Sequence, residues 1–139
     1  MKIQKATDYA IRVLSYLSSH DSSGDLLTAQ MISEAVGVTH PFFIKIANQL
    51  KQQGLLNTVQ GRHGGYQLAR RGEMISVYDV FVAIEGELSI TNCQKCGEPG
   101  VQNIVSCVAH SYFKEMQKMM VETMSSKKIS EFHTKKVCA

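Results

Sequence analysis

GVTHPFFIKIANQLKQQGLLNTVQGRHGGYQLA, residues 37 to 69, carries two structural signals in one run. Gly37 supplies the left-handed backbone that ends a helix at low cost. After the Val38-Thr39 turn, Thr39 or His40 caps a new helix, with Pro41 in its first turn, where a missing N–H matters least. Phe43, Ile46, Ala47 and Leu50 form that helix's inner face, Lys45, Gln49 and Gln52 lie outward, and Gly54 closes it. Leu55 to Val59 and Tyr66 to Ala69 read as short strands. Between them, Gln60-Gly61-Arg62-His63-Gly64-Gly65 is a glycine-rich reversal with Arg62 and His63 at its tip.

Upstream, Thr28 caps a helix ending near Val36, with Met31, Ile32, Ala35 and Val36 facing inward. Two helices joined by a short glycine turn, about 28–53, make a helix-turn-helix, and the hairpin of about 55–69 makes its wing. An ordinary helical hairpin is the plainer reading of the first motif alone. Residues 35 to 72 contain no Asp or Glu, but hold Lys45, Lys51, Arg62, Arg70, Arg71, His40 and His63. Charge and pattern together point to double-stranded DNA.

Thr39, His40, Pro41, Phe42 and Lys45 are placed to meet base edges and phosphates in the major groove. Arg62 and His63 are placed to enter the adjacent minor groove. Phe42 suits either a thymine methyl or core packing; Arg62 could also be a solvated turn residue.

Ala6 to Ser19 reads as a helix with Tyr9, Ala10, Val13, Leu14 and Leu17 on one stripe and Thr7 or Asp8 at its N-terminus. His20 to Asp25 is a turn. Met74 to Glu87 reads as a further helix capped by Ser76, and Leu88 to Val101 as loop. A long helix follows from about Asn103 to Ser126. Its stripe runs through Val105, Val108, Tyr112, Met116, Met119 and Thr123, widened by Ala109, Phe113 and Met120. So small a chain leaves such a helix little to bury against, and a second copy is the economical partner; packing on its own body is the other reading. The expected architecture is mostly α with a small β-hairpin. Residues 1–86 form a winged helix-turn-helix, 87–102 a cysteine-containing loop, and 103–139 a dimerisation helix and tail.

Cys93-x2-Cys96-x10-Cys107-x2-His110 is the second strong signal. Soft thiolates and imidazole suit zinc or iron–sulfur iron, and three Cys with one His is a common structural zinc set. A redox thiol pair without metal and unrelated cysteines are the remaining readings. Cys138 falls outside the cluster and reads as a free thiol, His133 as a solvent-facing helix end.

The 139 residues are 44% hydrophobic and 19% charged, with a net charge of +3. Neither a secretory apolar core nor a run approaching the roughly 18 residues of a membrane span is present. The expectation is a reducing, cytoplasmic setting without a disulfide framework. The sequence holds no nucleophile–base pairing, carboxylate dyad or phosphate-cradling loop leading into a helix, so an enzyme is not expected. A protein-interaction module remains as a different class.

Taken together, Ala6-Thr7-Asp8-Tyr9-Ala10-Ile11-Arg12, Gly54-Leu55-Leu56, the wing Gly61 to Ala69, Ile75 to Gly86 and the Cys/His segment resemble the Rrf2 family of bacterial winged-helix regulators, with its IscR- and NsrR-type iron–sulfur members. The similarity runs to about residue 133, and the wing matches best. The resemblance implies a homodimeric cytoplasmic transcription factor, expected to be a repressor, on a pseudo-palindromic operator. It further implies an iron–sulfur cluster, two-iron or alternatively four-iron, that reports cluster supply, nitric oxide or redox state. Cys93, Cys96 and Cys107 match the family's cluster cysteines, which displaces zinc as first choice; zinc or no metal stays as the alternative. The first two cysteines stand closer than is usual in cluster-binding members, implying a different loop path. For the fourth ligand, His110 matches the IscR-type histidine, while Asp8 matches the carboxylate that a partner subunit supplies in some NsrR-type members. Imidazole is the better iron ligand, which favours His110.

Overall fold

A computed structural model describes residues 2–90 and 104–132. Its elements in chain order are α1 (Lys5–His20), α2 (Ala29–Val36), α3 (His40–Gln52), β1 (Leu56–Val59), β2 (Gly65–Leu68), α4 (Val77–Glu85) and α5 (Ile104–Ser126), with 3-10 turns at Asp21–Ser23, Gly72–Met74 and Ile129–Glu131.

Local caps set most of these boundaries. The Thr28 hydroxyl accepts the Met31 amide at 3.2 Å, and Gly37 ends α2 at φ 79. The Thr39 hydroxyl accepts the Phe42 amide at 3.4 Å, starting α3 with Pro41 in its first turn. Ser76 and Asp79 form a reciprocal capping box at the start of α4, satisfying donors a helix start leaves orphaned. Helix α4 therefore begins at Val77 rather than at Met74, because Gly72–Met74 forms a separate 3-10 turn ahead of the box.

Leu14 of α1, Ile32 of α2, Phe43, Ile46 and Leu50 of α3, Leu55, Leu56, Ile75 and Val80 are fully buried in one core. The stripes expected on α1 and α3 face it, with Tyr9 half-buried at its edge. On α2 the face differs. Ile32, Ser33 and Val36 turn inward, whereas Met31 and Ala35 are exposed. Eight residues make only about two turns, and neighbours cover a single sector of them. Ser33 tolerates that sector because its hydroxyl donates to the Ala29 carbonyl at 2.6 Å. Gln49, expected outward, is half-buried, with Oε1 lacking a partner among the described residues. Helix α4 packs on α3 beside α1 and α2, widening α3's covered sector.

The hairpin is antiparallel, from Leu56 opposite Leu68 to Val59 opposite Gly65; β1 starts one residue later than the sequence-derived limit, and β2 lies one residue earlier at both ends. Leu27 and Tyr66 exchange backbone hydrogen bonds at 3.1 and 2.7 Å, so the α1–α2 connection adds a one-residue edge to the wing. A Cβ at Gly65 would lie 2.7 Å from the Leu27 carbonyl oxygen; only glycine permits this approach.

Beyond α5 the chain returns to the body. Ile129 is 0% exposed, its amide donates to the Ile75 carbonyl at 2.9 Å, and the Val77 amide donates to the Lys127 carbonyl at 2.9 Å. No helix among the described residues is long and apolar enough to cross a membrane.

Candidate nucleic-acid interface

Helix α3 projects its N-terminal residues from the body because Gly37 and the Thr39 cap turn the chain sharply after α2. Thr39, His40, Pro41 and Lys45 are exposed along that start and outer face. Thr39 spends its hydroxyl on the cap, so it positions the turn as well as facing outward. Phe42 is half-buried and edge-on to Tyr9, ring centroids 5.7 Å apart at 88°. Of its two expected roles, packing is the one this contact serves.

Phe43 of α3 meets Tyr66 of β2 edge-on, with centroids 5.1 Å apart, which ties the wing to the recognition helix. Arg62 and His63 are exposed at the hairpin tip. The reversal is tight: the Gly64 amide donates to the Gly61 carbonyl at 3.0 Å, and a Cβ at Gly64 would collide with the Val59 carbonyl oxygen.

Lys45, Lys51, Arg62, Arg70 and Arg71 are all exposed, and none forms an ion pair among the described residues. The first turn of α3 carries no acid. Uncompensated cations are suited to phosphate, as are the orphan N–H groups of an acid-free helix start.

Cys93 and Cys96 lie outside the described residues, as do Cys138 and His133, and of Cys107 only its place in the helix is described. Cys107 and His110 occupy the first turns of α5, three residues apart and so on one helical face. Among the described residues no group of three or more His, Cys, Asp or Glu side chains could hold a metal ion. Asp8 is engaged by Arg12, whose Nη2 and Nε donate to its two carboxylate oxygens at 2.9 and 3.3 Å.

Two long-range anchors frame the cysteine segment that the sequence reading did not foresee. Glu85, at the end of α4, accepts the Thr7 hydroxyl and the Gln4 amide. The Ile90 amide donates to Gln117 Oε1 of α5 at 3.1 Å.

A helix-turn-helix whose second helix projects beside a cation-tipped hairpin defines a winged-helix DNA-binding protein. Comparison with known proteins narrows the class. A family model described as the Rrf2 iron-dependent transcriptional regulator matches residues 3–135, and the chain belongs to that family. The protein "aau3" of Rhizobium meliloti is 29% identical over 131 residues, covering 94% of this chain and 84% of its own. The HTH-type transcriptional regulator IscR of Xenorhabdus nematophila is 26% identical over 131 residues, covering 94% and 78%. In fold, the chain matches the solved structure of CymR, the global cysteine regulator of B. subtilis, with a TM-score of 0.77 at 17% identity, covering 94% and 95%. The protein is thus a DNA-binding transcriptional regulator, and its family is one of regulators rather than enzymes.

Proposed function

We propose that the protein is a homodimeric, cytoplasmic repressor whose affinity for a pseudo-palindromic operator is set by an iron–sulfur cluster. Cys93, Cys96, Cys107 and His110 are the assigned ligands. The observation that carries this reading is the donor set itself, three thiols and an imidazole within residues 93–110, the segment joining α4 to α5. Soft thiolates with imidazole suit iron held with sulfide. Asp8 serves Arg12 with both oxygens, which supports His110 as the fourth ligand.

The division of labour follows the chain. Residues 1–86 bind DNA, 87–102 form the sensing loop, and 103–139 supply the dimer helix and tail. Thr39, His40, Pro41 and Lys45 address the major groove, with Phe42 held against Tyr9 to position them, while Arg62 and His63 address the minor groove. Phosphate contacts set affinity and its salt dependence; the helix sets sequence preference.

When bound, a cluster supplies an iron centre reactive toward oxidants and nitric oxide. What this chain contributes is the coupling. Its ligand-bearing segment begins just after the Glu85 anchor and ends on the first turns of α5. Order in that segment fixes how α5 sits against the winged-helix body, and hence the separation of two recognition helices across a dimer. Such coupling requires two dimer states of different operator affinity.

A second reading, zinc-bound or metal-free thiol-based regulation, draws on the fold match to a cysteine regulator and on the close Cys93–Cys96 spacing. Anaerobic purification with visible absorbance and iron, sulfide and zinc analysis separates the two. Matched iron and sulfide, lost in Cys93→Ala and Cys107→Ala, supports the cluster. Colourless protein with about one zinc, or none, leaves the thiol reading. Absence of salt-sensitive duplex binding would instead favour a protein-interaction module.

A further inference from the structure

The first turn of α3 has neighbours that the interface above does not use. Tyr9 of α1 packs edge-on against Phe42, and two cations flank its ring. Lys5 Nζ lies 5.6 Å from the Tyr9 ring centroid and Arg12 Cζ lies 4.9 Å from it. Both fall within the roughly 6 Å over which a ring face attracts a cation. Lys5, Tyr9 and Arg12 recur at four- and three-residue intervals on one helical face, and both cations are exposed.

Tyr9 is thus a mount. It fixes two positive charges to α1 and, through Phe42, fixes that part of α1 to the start of α3. Nearby are the exposed His40 and a first turn without acid. The facing carboxylate is Asp8, which takes the Nε–Nη2 edge of the Arg12 guanidinium. Arginine presents five N–H donors, so the other edge stays available while Asp8 holds the plane in orientation.

We propose that Lys5 and Arg12, mounted on Tyr9, form a second phosphate clamp. It grips the phosphodiester backbone of the DNA strand bordering the groove that α3 enters. The inference rests on the DNA-binding reading of α3. It adds a contact outside both the recognition helix and the wing, on α1, which the Tyr9–Phe42 contact holds beside the start of α3. Asp8 plays an opposing part there, as a negative charge beside the phosphate.

The test is a fluorescence-anisotropy titration of a labelled mixed-sequence duplex at several salt concentrations. Each phosphate contact contributes about 0.9 to the slope of log affinity against log salt. The Lys5→Gln/Arg12→Gln double variant is expected to lower that slope by about two. Asp8→Asn is expected to tighten binding on the order of fivefold, and Lys118→Gln, on α5, to match wild type. Circular dichroism checks that each variant is folded. A double variant with an unchanged slope, in a protein whose Arg62→Gln variant does lose slope, overturns the clamp and leaves the DNA-binding reading standing. Wild-type protein without salt-dependent binding overturns both.

Discussion

Thr7 and Glu85 join the two ends of the winged-helix body. The Thr7 hydroxyl donates to Glu85 Oε2 at 2.6 Å, and the Gln4 amide donates to Oε1 at 3.2 Å. Helix α1 has no side-chain cap of its own: neither Thr7 nor Asp8 supplies one, although Asp8 is the acid of its first turn, as the sequence reading allowed. A carboxylate from the end of α4 does the capping, where it also meets the positive pole of the α1 dipole. Thr7 is buried, so losing its acceptor strands a hydroxyl.

Glu85→Ala is accordingly expected to destabilise the fold by about 1.5–3 kcal/mol, the range for a hydrogen bond to a charged group. Urea unfolding measures it. Thr7→Val removes donor and demand together and should cost less than Glu85→Ala. Equal midpoints for wild type and Glu85→Ala would show that the cap contributes nothing.

The wing offers a cleaner separation of binding from stability. At Gly64 a side chain would run into the Val59 carbonyl oxygen, inside the reversal that presents Arg62 and His63. Gly64→Ala must open the hairpin tip, while the core around Phe43 and Leu14 lies elsewhere. The expected result is a helical circular-dichroism spectrum close to wild type with duplex affinity reduced about tenfold or more, since a bad tip displaces a base- or phosphate-contacting Arg worth about 1–3 kcal/mol. Wild-type affinity in this variant would remove the wing from the interface.

How much of this was legible depended on distance along the chain. Thr28, Gly37, Thr39 and Ser76 act on backbone within a few residues, so their caps could be read directly, and the outward placement of Lys45 and Arg62 followed from helix period and turn position. Met31 and Ala35 were misplaced because helical period gives an apolar stripe but not which part of it neighbours cover. The pairings Glu85–Thr7, Leu27–Tyr66 and Phe42–Tyr9 join distant segments whose residue types carry no mutual signal. For the metal ligands the residue types were legible, but two of the four lie outside the described residues.

Ile129 makes the same point on stability. It sits among Lys127, Lys128, Ser130 and Glu131, and nothing in that polar run marks it as core. Yet it is fully buried, and its backbone pairs with Ile75 just before the α4 capping box. Ile129→Ala is expected to cost about 2–5 kcal/mol, as for other buried aliphatic truncations. Equilibrium urea unfolding checks it. A loss under half a kcal/mol, the usual range of surface changes, would mean that the segment after α5 is an appendage.

Helix α5 divides its apolar residues between two directions. Met120, Val121 and Met124 are half-buried, while Tyr112 and Met119 are each 62% exposed and Phe113 and Met116 are also open. Large exposed side chains in a row on a 23-residue helix form a patch of the kind that marks an interaction surface. If a second copy covers it, two-fold symmetry places each residue in the interface twice. Met119→Glu would then bury two carboxylates and forfeit two apolar contacts, each worth about 1.5–3 kcal/mol when fully buried. The expected outcome is a dimer weakened on the order of 100-fold or more, seen by sedimentation equilibrium as a shift to monomer at micromolar concentration. The monomer should remain folded, because Met119 contributes nothing to the buried core of its own chain. Operator affinity should fall with it, since one half-site must then be held alone. A variant that sediments as wild type would place the partner of α5 elsewhere than across this stripe.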